Sequence, residues 1–191
     1  MIQSRQDLKY YLSKDKKRFE GKSPSLKDWI IKNEWAYIYK YIHHIRYIEY
    51  YQNKGGINKL FFLWHFFWYK RLGFKLRITI YPNTIGPGFR IYHAGDLVHV
   101  GPNIRIGRNC TMLPGVVFGN KTEKVDNEAV RVGDNCYFGL GAKIFGSVTI
   151  GNNVTIGAMS VVTHDIPDNV VVAGIPARII KYKSNKYNNF L

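Results

Sequence analysis

The chain has 191 residues, 46% of them apolar, with 28 lysines and arginines against 13 aspartates and glutamates. The apolar share supports a packed core and excludes wholesale disorder, and the longest apolar run, residues 60–69, falls far short of the roughly 20 residues that a membrane-crossing helix needs. The net charge of +15 is uneven: residues 1–77 hold 17 basic and 6 acidic side chains and 19 of the 29 aromatics, whereas residues 78–191 hold 11 and 7.

A basic, aromatic front and a nearly balanced back should be different structures. The front suits a helical cap with charged outer faces, or a contact with a polyanion or an anionic membrane. The first twenty residues are polar and have no h-region, and Cys110 and Cys136 form no CxxC pair, so neither a secretory signal nor a disulfide framework is expected. A cytoplasmic protein is the expectation, with peripheral placement at the inner face of the membrane as an open second possibility.

Helices are predicted over residues 6–20, 26–52 and 57–72. Ser25 and Asp28 form a capping-box pattern. Trp29, Ile30, Asn33, Tyr37, Lys40, Tyr41, His44 and Ile48 then step at three and four, a partly apolar stripe. Gly55-Gly56 breaks the pattern. The third helix should end at Gly73, just after the cations Lys70 and Arg71.

From residue 100 the period changes to six. Val100, Ile106, Met112 and Phe118 recur at that interval, and after a gap so do Val132, Phe138, Ile144, Ile150, Ile156 and Val162. Four residues after each anchor stands a second, mostly small residue: Ile104, Cys110, Val116, Cys136, Ala142, Val148, Val154 and Ser160. A period of six is one short strand plus one turn, and three such units close a coil of about 18 residues. The anchors fill the interior, and Gly or Asn takes the corners that need positive φ. The result is a mainly β fold: a parallel β-helix of hexapeptide repeats behind a small N-terminal α-helical segment. Residues 1–76 form that segment, 77–180 the β-helix and 181–191 a tail. Two breaks interrupt the count. Residues 92–99 are irregular, and the fourteen positions from Phe118 to Val132 hold eight too many, so a loop at about 120–129 must leave the coil.

Residues 85–95 (IGPGFRIYHAG), the hexapeptides, residues 141–146 (GAKIFG), 156–161 (IGAMSV) and 173–178 (AGIPAR) together resemble the serine acetyltransferase family. The resemblance covers about residues 77–180. It implies a left-handed coil, a homotrimer with active sites between neighbouring β-helices, and acetyl-CoA lying along that groove. It also implies that His93 is the base, and no metal is expected. The family's serine-specific Asp, three residues ahead of a Pro, matches Thr79 here, before Pro82. The family's second His has no counterpart around Glu128, Ala129 and Val130. These departures favour the branch that O-acetylates sugars of bacterial surface polysaccharides or their precursors, with serine O-acetylation as the alternative.

Acetyl transfer to a hydroxyl needs a base, and histidine suits the task near neutral pH. Direct transfer is expected, since neither cysteine is placed as an acyl carrier. Asp96 is the catalytic companion chosen for His93, with Tyr92, Asp126 and Glu128 as other partners and His99 as an assistant. Backbone N–H groups of residues 93–96 are candidate oxyanion donors. Gly141, Ala142 and Ala158 are expected beside the pantetheine arm, and Arg178 and Lys181 beside the CoA phosphates. His43, His44, His65 and His164 are read as structural, and both cysteines as core. Residues 57–77 could meet an anionic membrane or pack as a cap. Two rivals from other classes are a metal-dependent hydratase, which needs three histidines where His93 and His99 offer two, and a nucleic-acid binder, for which no motif exists.

Overall fold

The computed structural model describes residues 2–119 and 129–184. Helix α1 (Arg5–Arg18) opens with a capping box between Ser4 and Asp7 and ends on Lys16, Lys17 and Arg18, where cations meet the negative end of the helix. Helix α2 (Leu26–Ile30) starts at the expected Ser25–Asp28 box. The single helix expected over 26–52 is divided. Lys32 turns left-handed at φ 54°, and Asn33 folds back, its side-chain amide donating to Asp28 Oδ1 at 3.2 Å. Asn33 then occupies the N-cap position of α3 (Glu34–Tyr51), which puts Glu34 in a new first turn. Helix α4 (Asn58–Leu76) runs past Gly73 and is capped by Arg77 at φ 57°. Gly73 is there for close approach: a Cβ on it would lie 2.7 Å from the Ile78 carbonyl and 3.1 Å from the Tyr41 ring.

The remainder is a left-handed parallel β-helix with three faces. One stacks β1 (Ile78–Ile80), β3 (Val98–Val100), β6 (Val117–Gly119), β9 (Lys143–Phe145) and β12 (Val161–Val162). The second stacks β4 (Ile104–Ile106), β7 (Val130–Val132) and β10 (Val148–Ile150). The third stacks β2 (Arg90–Ile91), β5 (Thr111–Met112), β8 (Tyr137–Phe138), β11 (Thr155–Ile156) and β13 (Val170–Gly174), and ends in β14 (Ala177–Tyr182). That last pairing is antiparallel, a hairpin that covers the final coil. All ten period-six anchors are buried, and so are all eight second residues, the two cysteines among them.

Register confirms the period. Val130 pairs with Val148 and Lys143 with Val161, 18 positions on (148 − 130 = 18). Ile104 pairs with Val130 and Val117 with Lys143 across 26 positions (130 − 104 = 26), one coil plus the eight inserted residues. The loop expected at about 120–129 itself lies outside the described residues, apart from Ala129. Asn109, Asn135, Asn153 and Asn169 take one corner of successive coils, each with φ between 55° and 59°. Asparagine tolerates this left-handed region better than other residues with a Cβ. The Asn153 amide donates to Asn169 Oδ1 at 2.9 Å, so the corner is also a ladder.

Helices and coil share one hydrophobic core, in which Tyr41, Ile42 and Ile45 join Ile78, Ile80 and Phe89. The polar lock between them is Arg46. Its side chain is fully buried and paired with Asp15 at 2.8 Å and Glu49 at 3.3 Å. It also donates to the carbonyls of Ile85 (2.8 Å) and Gly86 (2.7 Å). Asp15 in turn accepts from the backbone N–H of Gly88, and Glu49 from that of Asn83. Burial alone would push the guanidinium pKa down, and the two carboxylates reverse this and hold it charged. Arg46→Ala would leave both carboxylates buried without their cation. It should cost about 3–5 kcal/mol, read as a lower urea midpoint.

Between α3 and α4, His44 Nδ1 lies 2.8 Å from His65 Nδ1, and Tyr47 stacks on His65 at 4.5 Å. One ring donates from Nδ1 and the other accepts there, so the two rings cannot both be charged. Burial first, then the neighbouring histidines, lower His44 to about 3 and His65 to about 4. An unfolded histidine titrates near 6.5, so the unfolded chain takes up protons that the fold refuses. Stability is therefore full above about pH 6.5 and falls progressively toward about pH 4. The melting temperature should drop between pH 7 and 5, and His65→Phe should flatten that slope.

Candidate active site

The first coil is longer than the rest. Ile85 bridges to Ile106, 21 positions on (106 − 85 = 21), three more than the regular 18. The surplus falls between Ile91 and Val98, both buried, so the chain must bulge out from the coil between them. His93 stands in that bulge. Its side chain is 69% exposed.

Glu34 reaches this bulge from the first turn of α3. Its Oε2 lies 3.0 Å from His93 Nδ1, and its Oε1 accepts the Ala94 backbone N–H at 3.0 Å. The carboxylate thus holds both the ring and the turn carrying it. A carboxylate beside Nδ1 selects the tautomer with the proton on Nδ1, leaving the Nε2 lone pair free to accept a proton. This is the geometry of a positioned general base.

Glu34 was not among the partners expected for His93. Asp96 is held elsewhere: its Oδ1 accepts the Leu97 N–H at 2.7 Å, and its Oδ2 lies where a Cβ on Gly115 would come within 2.6 Å. No described hydrogen bond joins Asp96 to His93. Tyr92 lies under the Arg90 guanidinium, 4.1 Å from its ring centre. Asp126 and Glu128 lie outside the described residues. His99 sits on β3 beside Thr79 in register, with its ring edge-on to Tyr81. Two of the backbone donors expected for an oxyanion are already engaged, Ala94 N–H by Glu34 and Gly95 N–H by the Leu76 carbonyl at 3.5 Å. Only one local signal pointed to Glu34. An acid following Asn33 fits a helix start, but such acids are common there for the helix dipole alone.

The residues expected along a cofactor groove are divided. Gly141 forms a coil corner at φ 69°, with Gly115 before it and Met159 after it at equivalent positions. A Cβ on Gly141 would lie 2.4 Å from Met159 Sδ, so the glycine lets two corners stack closely. Ala142 is fully buried and faces the core, and its carbonyl accepts from Val117. Its side chain is therefore not available to a ligand. Ala158 is exposed. Arg178 and Lys181 are exposed on β14, and the Arg178 guanidinium lies 3.4 Å from His164 Nε2. Among the described residues, no group of three or more His, Cys, Asp or Glu side chains is arranged to hold a metal ion.

Residues 129–164 and 147–174 match the family model described as the hexapeptide repeat of succinyl-transferase. Among curated proteins, the chain is 38% identical over 110 residues to a serine acetyltransferase of Bacillus subtilis, across 57% of this chain and 50% of that protein. It is 34% identical over 139 residues to a serine acetyltransferase of Bacillus pumilus, across 66% of this chain and 64% of that protein. The chain thus spans between half and two thirds of the length of these relatives. Among solved structures, serine acetyltransferase from Brucella abortus in complex with coenzyme A superimposes with a TM-score of 0.74 at 24% identity, over 94% of this chain and 70% of that one. The Neisseria gonorrhoeae serine acetyltransferase gives 0.69 at 23% identity, over 95% and 69%. The fold is therefore the hexapeptide-repeat β-helix preceded by helices.

Proposed function

We propose that the chain is an acetyl-CoA-dependent O-acetyltransferase in which His93 is the general base and Glu34 positions it. The His93–Glu34 contact carries the reading, because it occupies Nδ1 of an exposed imidazole and leaves Nε2 to accept a proton. The acceptor hydroxyl gives its proton to Nε2 as its oxygen attacks the thioester carbonyl of acetyl-CoA. The C–S bond then breaks, and the thiolate leaves with the proton that His93 returns. Glu34 keeps the imidazolium oriented throughout.

On this reading acetyl-CoA lies along the exposed side of the coil, and three of the residues expected beside it are accessible. Ala158 borders the Gly141–Met159 corner, and Arg178 and Lys181 offer cations to phosphate groups. Ala142 contributes only by filling the core. The His93 bulge is open on one side, which suits completion of the groove by a neighbouring coil in a homotrimer.

For the acceptor, the relatives support L-serine better than the sugar hydroxyl expected from the sequence, since all those quoted above are serine acetyltransferases. A sugar hydroxyl in a surface polysaccharide or its precursor is the second reading. Thr79 favours it, since it stands where the serine enzymes are expected to have an Asp.

Thiol release from acetyl-CoA with L-serine tests both. His93→Ala should lower kcat by about 10²–10⁴-fold. Glu34→Gln should lower it by at least about tenfold, because the amide has one acceptor oxygen for the two donors His93 Nδ1–H and Ala94 N–H and no charge to stabilise the imidazolium. If His93→Ala turned over at the wild-type rate, His93 would not be the base. If protein that binds acetyl-CoA showed no serine-dependent release, serine would be excluded as acceptor and the sugar reading would take its place. Because Glu34 is 44% exposed, Glu34→Gln should leave the urea midpoint nearly unchanged, so lost activity would not reflect lost folding.

A further inference from the structure

Helix α4 carries far more apolar surface than it buries. Ile57, Leu60, Trp64, Phe67 and Phe74 step along it at intervals of three, four, three and seven, which places them on one face. Each is more than half exposed, and Phe74 is 91% exposed. Its opposite side packs on the protein through Tyr69, Leu72, Gly73 and Leu76. An outward row of this size on a soluble surface marks an interaction site.

Charge decides between occupants. Residues 50–95 contain seven lysines and arginines and no aspartate or glutamate. Lys70 and Arg71 are exposed beside the apolar row, and Lys59 and Lys75 are exposed on the same helix. A second copy laid against this face by a two-fold axis would bring the same helix cations together, with no acid on either copy of α4 to offset them. An apolar strip bordered by cations and rich in Trp and Phe is instead complementary to the boundary between headgroups and acyl chains of an anionic bilayer. No helix among the described residues is long and apolar enough to cross a membrane, so contact would be in the plane of the surface.

We propose that the outer face of α4 docks the protein on an anionic membrane surface, with Trp64, Phe67 and Phe74 entering the headgroup layer and Lys70 and Arg71 meeting lipid phosphates. The proposal is independent of the reaction, and its test uses no turnover.

The full chain is sedimented with vesicles of equal parts phosphatidylglycerol and phosphatidylcholine, and with pure phosphatidylcholine. Binding should be at least about tenfold tighter to the anionic vesicles and should weaken with added salt. A Trp64→Glu/Phe67→Glu double variant should lose binding while keeping the circular dichroism of the wild type. If that variant fails to fold, Lys70→Gln/Arg71→Gln replaces it and should likewise weaken binding to anionic vesicles. Equal binding to both vesicle types, no binding to either, or undiminished binding by the folded variant would overturn the proposal. Light scattering on the same samples adds a further outcome: if the double variant fell to a smaller oligomer, the face would be a contact between copies of this chain, and the membrane proposal would fail.

Discussion

The buried guanidinium of Arg46 is the constraint on which the site depends. It ties the middle of α3 to the carbonyls of Ile85 and Gly86, and Asp15 and Glu49 complete the lock on α1 and on the same helix. Glu34 lies on α3 twelve residues before Arg46, about 18 Å along a rigid rod. Fixing the rod at the first turn of the coil therefore fixes the distance from Glu34 to the bulge at residues 92–97. Such a buried ion cluster is weak evidence of net stability, because desolvating three charges is costly. Its use here is registration: it permits one placement of the helices on the coil, and Glu34 meets His93 in that placement.

The coil was legible in the sequence because its physics is local and repeated. Every anchor from Val100 to Val162 faces inward, since a six-residue turn returns each of these positions to the same axis, and the corner asparagines follow from their tolerance of positive φ. The irregularity at 92–99 was also visible as a broken count, and it proved to be where His93 leaves the coil. The helices were legible by existence but not by boundary. Lys32 was an ordinary exposed lysine until Asn33 and Asp28 bonded around it, and Gly73 looked like a helix end until Ile78 and Tyr41 were packed against it. Ala142 was legible as core from its place in the repeat, and that same place excludes its side chain from a ligand role. The Glu34–His93 contact joins residues 59 positions apart across two kinds of structure. No period or motif encodes it, and it follows only from how α3 is docked.

Fold likeness and sequence likeness cover different extents of this molecule. Identity of 38% reaches 57% of the chain, whereas the fold agrees with a serine acetyltransferase structure over 94% of it. The shared fold therefore extends over more of the chain than that sequence match does. On the acetyltransfer reading this matters for chemistry, because the carboxylate that orients the base comes from the helical layer and not from the strand that carries Thr79. Thr79 lies in register with His99 on the adjoining strand. The Thr79 hydroxyl is neutral and brings no charge to that strand.

A base and its carboxylate that are 69% and 44% exposed are only weakly coupled, because water screens an open pair. The same 3.0 Å contact gains strength when solvent is removed and the local dielectric falls. On the acetyltransfer reading, what covers the bulge would therefore belong to the catalytic apparatus. A second coil laid along the first, together with acetyl-CoA and acceptor, would exclude water from His93 at the step where its proton transfer matters. Glu34, already holding both Nδ1 and the Ala94 N–H, has nothing left to rearrange when that happens. Preorganisation by a remote helix and completion by a neighbouring coil are then two halves of one requirement, and Arg46 secures the half that a single chain can provide.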